Sequence, residues 1–271
     1  MGRRDLGGTT VMITGGGGGL GAALAAGFAG RGAAVAVVDL DLERAERVAA
    51  DVRRAGGRGI AVACDVTDEA ACREAVASIG ELLDGPDVLV NNAGLTHRSA
   101  FVDTDLEVLR RVMEVNLFGS VNCTKAALPS LLGRAGAIAV ISSVAGFAPL
   151  LGRTGYAASK HALHGLFGTL RTELRTEGVD VTIAAPTFIE TGFRDRTLDG
   201  DGSITEHPQS RVGRSLPADV VAERIIDAIE RRRRLVVIGA VGKLSRAMTV
   251  ATPGLYDRMM ERSLRSELRR G

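Results

Sequence analysis

Short, mostly apolar runs alternate along this chain with longer stretches in which charges recur on one side. The apolar runs cover 10–13, 34–38, 60–64, 88–90, 137–141, 179–184 and 235–238. Runs of three to six, rich in valine, isoleucine and alanine and bounded by Gly, Pro or Asp, predict strands. Between them the amphipathic stretches predict helices over 19–31, 42–55, 68–83, 105–132, 154–177 and 217–234. Thr67 or Asp68 is placed to cap the third helix, Gly178 to end the fifth, and Pro217 to open the last.

Most of the strands are continuously apolar rather than alternating, which is expected when helices cover both faces of a sheet. Repeated strand–helix units require crossovers, and these are right-handed and join parallel strands. No linker, repeat or composition break divides the chain. The pattern predicts one α/β domain over 1–271: a doubly wound, Rossmann-type fold on a parallel sheet. Residues 191–215 are polar and Gly-rich without periodicity and predict a long loop closing over a substrate. Residues 240–271 form a mixed tail whose Met248, Val250, Leu255, Tyr256, Met259 and Met260 lie among arginines. The tail is expected to cover the pocket or pack in an oligomer rather than touch a membrane.

The first strand runs into Thr14-Gly15-Gly16-Gly17-Gly18-Gly19-Leu20-Gly21 and then an Ala-rich helix. Glycines let a backbone turn tightly and approach a pyrophosphate, and the helix N-terminus presents free N–H groups to that anion. Five glycines in a row also occur in flexible linkers; a strand before and a helix after make this a dinucleotide turn. No Lys-Ser/Thr pair follows, which argues against a nucleoside-triphosphate loop. The second strand ends at Asp39, where a carboxylate can accept hydrogen bonds from the adenosine ribose hydroxyls of NAD.

Composition narrows the classes. Of 271 residues 45% are hydrophobic and 24% charged, the balance of a globular protein. Formal net charge is +2, too small for a field aimed at nucleic acid or an anionic membrane, and aromatics are 3% with no Trp, which disfavours base stacking. The charge-free stretches 9–30 and 135–152 are long enough to suggest membrane spans. Gly15 to Gly19 interrupt the first, and Ser142, Ser143 and Pro149 the second, so both are expected to be buried strands followed by loops. Cys64, Cys72 and Cys123 form no CxxC and are odd in number, which predicts reduced, buried thiols and a cytoplasmic location.

The motifs together resemble the short-chain dehydrogenase/reductase family. Thr14-Gly15…Gly19-Leu20-Gly21 matches its TGxxxGxG turn. Asp65-Val66, Asn91-Asn92-Ala93-Gly94, Asn116, Ser142-Ser143, Tyr156-Ala157-Ala158-Ser159-Lys160 and Pro186-x-x-Ile189-x-Thr191 follow in family order and at family spacing, over roughly residues 9–191. The resemblance implies a seven-stranded parallel sheet, NAD(P)(H) across its carboxyl edge, and reversible hydride transfer between a carbonyl and an alcohol. It implies that Asp65 and Val66 meet the adenine, Asn92 the adenosine side, and Ile189 and Thr191 the carboxamide. With the turn residues Gly15, Gly18, Gly19 and Leu20 and the carboxylate of Asp39, these are the expected cofactor contacts, together with Tyr156 and Lys160. Ser143 is implied to hold the substrate oxygen, and Asn116 to seat a water behind Lys160 in a proton relay. The family usually has Pro-Gly after the sixth strand; Thr187 stands there and restricts the backbone near the nicotinamide.

Tyr156 and Lys160 are i and i+4 on one helix and share a face. An ammonium ~4 Å from the phenol is worth up to about 4 kcal/mol at an effective dielectric of ~20. That is enough to bring the phenol from its ordinary pKa of about 10 toward neutrality, as an acid in reduction and a base in oxidation. His161 and His164 lack partners at metal-ligand spacing and are expected to pack on a helix face; His97 is a candidate for the substrate mouth. Arg231 to Arg234 read as a solvated helix C-terminus. The leading expectation is an NAD-dependent dehydrogenase/reductase of an apolar secondary alcohol or ketone. It is expected to be a homo-oligomer, dimer or tetramer, meeting through the helices of 105–132 and 154–177. Two alternatives are an NADPH-dependent ketoreductase and a catalytically silent dinucleotide sensor, which the intact Ser143, Tyr156, Lys160 and Asn116 argue against.

Overall fold

The computed structural model describes residues 2–190, 197–205 and 215–264. Seven strands form one sheet in which every pairing is parallel. In chain order the first four are β1 (Thr10–Thr14), β2 (Ala34–Asp39), β3 (Gly59–Ala63) and β4 (Val88–Asn91). A two-residue strand, β5 (Thr96–His97), lies outside the sheet; β6 (Ala137–Ile141) and β7 (Asp180–Pro186) return to it. Three more short strands, β8 (Ile189–Glu190), β9 (Thr197–Leu198) and β10 (Leu216–Pro217), precede the last sheet strand, β11 (Leu235–Ile238). The strand order β11-β7-β6-β4-β1-β2-β3 reverses direction between β1 and β4. A crevice opens at the carboxyl ends of the strands at such a reversal, and the glycine turn after β1 and the Asn91–Gly94 segment after β4 meet there.

Burial explains the sheet. Alternate side chains of each strand enter separate cores: Val11, Ile13, Val35 and Val37 pack with α1 (Gly19–Ala29), α2 (Leu42–Arg54) and α7 (Ala218–Glu230). Met12, Ala36 and Val38 pack on the other face with α3 (Glu69–Leu83), α5 (Gly119–Gly133) and α6 (Thr154–Glu173). Phe28 and Phe167, both fully buried, anchor the two cores, each worth ~1.5–3 kcal/mol of burial. Asp41 caps α2 by accepting from the Arg44 N–H (3.0 Å), and Asp68 caps α3 by accepting from the Ala70 N–H (2.7 Å).

Three expectations change. The single helix over 105–132 is instead α4 (Leu106–Met113), a π-helical turn over Glu114–Phe118, and α5. There the Gly119 N–H reaches the Glu114 carbonyl, five residues back, and the widened turn carries Asn116. A uniform apolar period does not reveal one inserted residue. The loop over 191–215 is fastened where it is described: β8 pairs with β10, and β9 pairs with β5. The expectation for Thr191 lies outside the described residues. The tail is two helices, α8 (Ala240–Ala251) and α9 (Pro253–Leu264). Tyr256 and Met260 pack on Ala148, Val144, Phe147 and Leu150, so this hairpin lies over the loop that follows β6.

The three cysteines are free and buried, with Sγ–Sγ distances of 3.9 Å (Cys64–Cys72) and 3.6 Å (Cys72–Cys123). The thiol of Cys72 is pushed up to about 12, first by its contact with Cys123, and that of Cys64 is pushed up by its contact with Cys72 and by burial. Protonated thiols are poor nucleophiles, and these pack as small apolar groups. No described helix is long and apolar enough to cross a membrane.

Candidate active site

A cavity of about 500 Å3 runs along the carboxyl edge of the sheet. Gly17, Gly18, Gly19 and Leu20 line one end, Asn92 and Gly94 the middle, and Ser143, Tyr156 and Lys160 the other end. Gly15, Asp39, Asp65, Val66 and Asn116 do not line it; they stand behind the wall or beside it.

Gly15 has φ +60°, and a Cβ there would lie 2.8 Å from the Ala93 Cα, so only glycine allows β1 to turn this close to β4. Asn92 holds the same turn: its Nδ2 donates to the carbonyls of Thr14 and Gly15, both at 3.0 Å. Gly18 opens α1 without a side-chain cap; the Gly21 N–H turns back to the Gly18 carbonyl (3.1 Å), leaving the N–H groups of Gly19 and Leu20 for an anion, and a Cβ at Gly18 would meet nothing within 4 Å. A narrow backbone cradle beside an uncapped helix start fits a pyrophosphate. Asp39 is buried; its Oδ2 accepts from the Gly17 N–H (2.9 Å) and its Oδ1 from the Asp41 N–H (3.2 Å). Arg44 and Arg47 also line this end, with the Arg44 Nε 3.3 Å from Asp41 Oδ2. The Asp65 carboxylate is turned back on its own loop, where it accepts from the N–H and hydroxyl of Thr67. Val66 packs in the core, against Gly119.

At the other end α6 carries Tyr156 and Lys160 on one face, as their spacing requires, with the Lys160 Nζ 5.7 Å from the centre of the Tyr156 ring. Lys160 is buried and donates to the Ile141 carbonyl (2.8 Å); burial lowers its pKa to about 8. The expectation that Lys160 brings the phenol toward neutrality does not hold here. Burial raises Tyr156 above its ordinary value, opposed by a hydrogen bond with the Ser143 hydroxyl and by the Arg153 charge. At this half-buried position desolvation of the phenolate outweighs its neighbours. Asn116 is also more engaged than a lone water anchor. Its Nδ2 donates to the Leu95 carbonyl (2.9 Å) and the Ser159 Oγ (2.8 Å), and its Oδ1 accepts from the Leu95 N–H (2.8 Å). Ser159 passes its hydrogen to the Tyr156 carbonyl (2.8 Å), so the amide braces α6.

The substrate side of the cavity comes from the C-terminal hairpin and the loop after β6: Val144, Pro149, Leu150, Val241, Tyr256 and Met260. The Tyr256 hydroxyl donates to the Pro149 carbonyl (3.2 Å), tying hairpin to loop. Thr187 is accommodated because glycines face it: a Cβ at Gly239 would overlap its side chain, and one at Gly242 would lie 3.0 Å from its Cγ2. Its N–H donates to the Ile238 carbonyl (3.1 Å).

Residues 9–201 match the short chain dehydrogenase family. The chain is a member of the short-chain dehydrogenase/reductase family. It is 33% identical over 265 residues to dehydrogenase/reductase SDR family member 7B of Bos taurus, covering 95% of this chain and 82% of that protein. Against dehydrogenase/reductase SDR family protein 7-like of Drosophila melanogaster it is 33% identical, covering 94% and 80%. Among solved structures it resembles a short-chain dehydrogenase/reductase from Burkholderia phymatum in complex with NAD, with TM-score 0.82, 26% identity and coverage of 93% and 96%. A short-chain dehydrogenase from Streptomyces avermitilis gives TM-score 0.81 at 25% identity, covering 95% and 98%.

For this short-chain dehydrogenase/reductase, two neighbours of the site were not legible from motifs. Arg153, three residues before Tyr156, is buried, lines the cavity and donates to the His97 carbonyl (2.9 Å). His97, a candidate for the substrate mouth, is fully buried behind the wall instead, where its Nε2 accepts from the Gly155 N–H (2.9 Å). The burial of neither carries a local signal, because a buried Arg or His and a surface one read alike in the sequence. Of the helix-face pair, His161 bonds the Ala157 carbonyl (2.9 Å) and His164 the Ser142 hydroxyl (2.9 Å).

Proposed function

We propose that this enzyme transfers a hydride between NAD(H) and a secondary alcohol or ketone whose body is largely apolar. The observation that carries this is the meeting of Ser143, Tyr156 and Lys160 at one end of a cavity whose other end is the glycine turn. When bound, the dinucleotide supplies or takes up the hydride at its nicotinamide ring. The turn and the start of α1 hold the pyrophosphate, Asp39 accepts from ribose hydroxyls, and Ile189 and Thr191 hold the carboxamide. Lys160 has donors to spare for the second ribose after its bond to Ile141. Asp65, Val66 and Asn92 serve by shaping the adenosine side.

Ser143 donates a hydrogen bond to the substrate oxygen. Tyr156, kept protonated by burial, gives its proton to that oxygen as the carbonyl is reduced and takes it back from an alcohol. Asn116 braces α6 and seats the water from which Tyr156 and Lys160 recover the proton. The apolar substrate wall of Val144, Leu150, Val241 and Met260 favours an uncharged substrate body. Screening ketones with NADH and alcohols with NAD tests the assignment; turnover only of multiply charged sugars or phosphates refutes the apolar substrate, and no turnover favours a silent sensor.

A second reading, an NADPH-dependent ketoreductase, draws on Arg44 and Arg47 at the glycine end of the cavity. The kcat/KM ratio for the two cofactors separates the readings. The proposal extends to a cytoplasmic homo-oligomer, dimer or tetramer, formed through α4, α5 and α6, where Phe118 and Leu132 are exposed. A monomer by light scattering at micromolar concentration overturns that part.

A further inference from the structure

We propose that His97 is a positioning residue for the reaction, fastening the substrate loop to the first turn of the helix that carries Tyr156, a role that presupposes Tyr156 as acid and base. Three contacts converge on it. Its strand β5 pairs with β9 of the substrate loop, His97 opposite Leu198, and the next N–H, of Arg98, donates to the Leu198 carbonyl (2.7 Å). Its carbonyl accepts from the Arg153 guanidinium (2.9 Å), and Arg153 occupies the N-cap of α6. Its ring accepts from the Gly155 N–H (2.9 Å), immediately before Tyr156.

The start of α6 has no side-chain cap of its own. A buried helix N-terminus must find acceptors elsewhere, and the imidazole of His97 supplies one from another element. Gly155 makes room for it: a Cβ there would lie 3.2 Å from the His97 Nε2 and 2.7 Å from the Leu109 Cδ2.

The surrounding hydrogens permit one protonation state. Nε2 faces an N–H and must present its lone pair. The Thr104 hydroxyl donates to the Ala100 carbonyl (2.7 Å), so the Ser99 hydroxyl, 2.7 Å from it, must donate to Thr104. Ser99 then accepts from the ring Nδ1 at 3.2 Å. His97 is therefore neutral with its hydrogen on Nδ1, and the chain Gly155–His97–Ser99–Thr104–Ala100 runs in one direction. A displacement of the first turn of α6 moves the phenol off the substrate oxygen, and ~1 Å is enough to cost 10²-fold in rate.

The test compares two substitutions of similar polarity. In His97→Gln the side-chain oxygen falls near the place of Nε2 and still reaches Gly155. In His97→Asn the shorter amide stays near Nδ1 and does not. The chain has two tyrosines, so tyrosine labelled with ¹³C at Cζ gives two signals, assigned with Tyr156→Phe. The expected result is a Tyr156 titration in His97→Gln like that of the wild type. In His97→Asn the titration moves upward as the bond to Ser143 loosens, and kcat on the best wild-type ketone falls about tenfold or more with NADH affinity unchanged. Nitrogen shifts of the wild-type ring must show hydrogen on Nδ1 at neutral pH. Equal behaviour of the two variants, or hydrogen on Nε2, overturns the proposal. Full turnover by Tyr156→Phe instead overturns the acid–base assignment and leaves the difference in titration between the two variants standing.

Discussion

The Lys160 Nζ sits 5.7 Å from the centre of the Tyr156 ring and spends one hydrogen on the Ile141 carbonyl. A buried ammonium with one backbone acceptor and, among the described residues, no carboxylate partner costs the fold stability, and the depression of its pKa to about 8 reflects that cost.

Lys160→Met removes the buried charge and keeps most of the volume. It is expected to raise the stability of the cofactor-free protein by about 1–3 kcal/mol, the trade common at active sites, while lowering turnover. Chemical denaturation together with a turnover assay checks it; a variant less stable than the wild type contradicts the account of Lys160.

Because burial raises the Tyr156 phenol, the cofactor-free enzyme holds it protonated at neutral pH. Reduction needs the phenol and oxidation the phenolate. The kcat/KM for ketone reduction is therefore expected to stay flat through neutral pH, and that for alcohol oxidation to rise with pH. Tyr156→Phe should lower kcat at least ~10²-fold with NADH binding nearly intact. Steady-state pH profiles and a fluorescence titration with NADH decide both.

At the other end of the cavity the carboxylate of Asp39 is expected to oppose a 2′-phosphate. Like charges in a half-buried cleft cost ~2–4 kcal/mol, which predicts a preference for NAD(H) of roughly 30-fold or more in kcat/KM. Asp39→Ala should erode it by admitting NADP(H). Equal or better wild-type kcat/KM with NADP(H) would show that Arg44 and Arg47 dominate this corner.

Two histidines set an acid limit on stability. Burial lowers His97, and Arg153 adds to it; burial lowers His164, helped by His161, Arg246 and Lys160. Both fall from 6.5 to about 4. Between these values the unfolded chain binds protons that the folded chain refuses, so stability falls as pH drops from about 6.5 toward 4. The slope is about 1.4 kcal/mol per pH unit for each fully depressed histidine. Denaturation midpoints across this range, with His164→Gln reducing the slope, test the assignment.

The sequence by itself determined the seven strands, the helices between them, the glycine turn and the i, i+4 pairing of Tyr156 with Lys160. Each is a local property: an apolar period, a cap such as Asp68, a backbone that must turn at Gly15. Tertiary structure decided what depends on neighbours distant in the chain. The π-helical turn that carries Asn116, the burial of His97 beneath Gly155, the entry of Arg153 into the cavity wall and the seating of Tyr256 on the loop after β6 are of this kind. So is the accommodation of Thr187, whose side chain needs the space left by Gly239 and Gly242, some fifty residues on. The upward shift of the Tyr156 phenol belongs here too, because spacing along a helix shows which charge is near but not how much water the folded chain has removed.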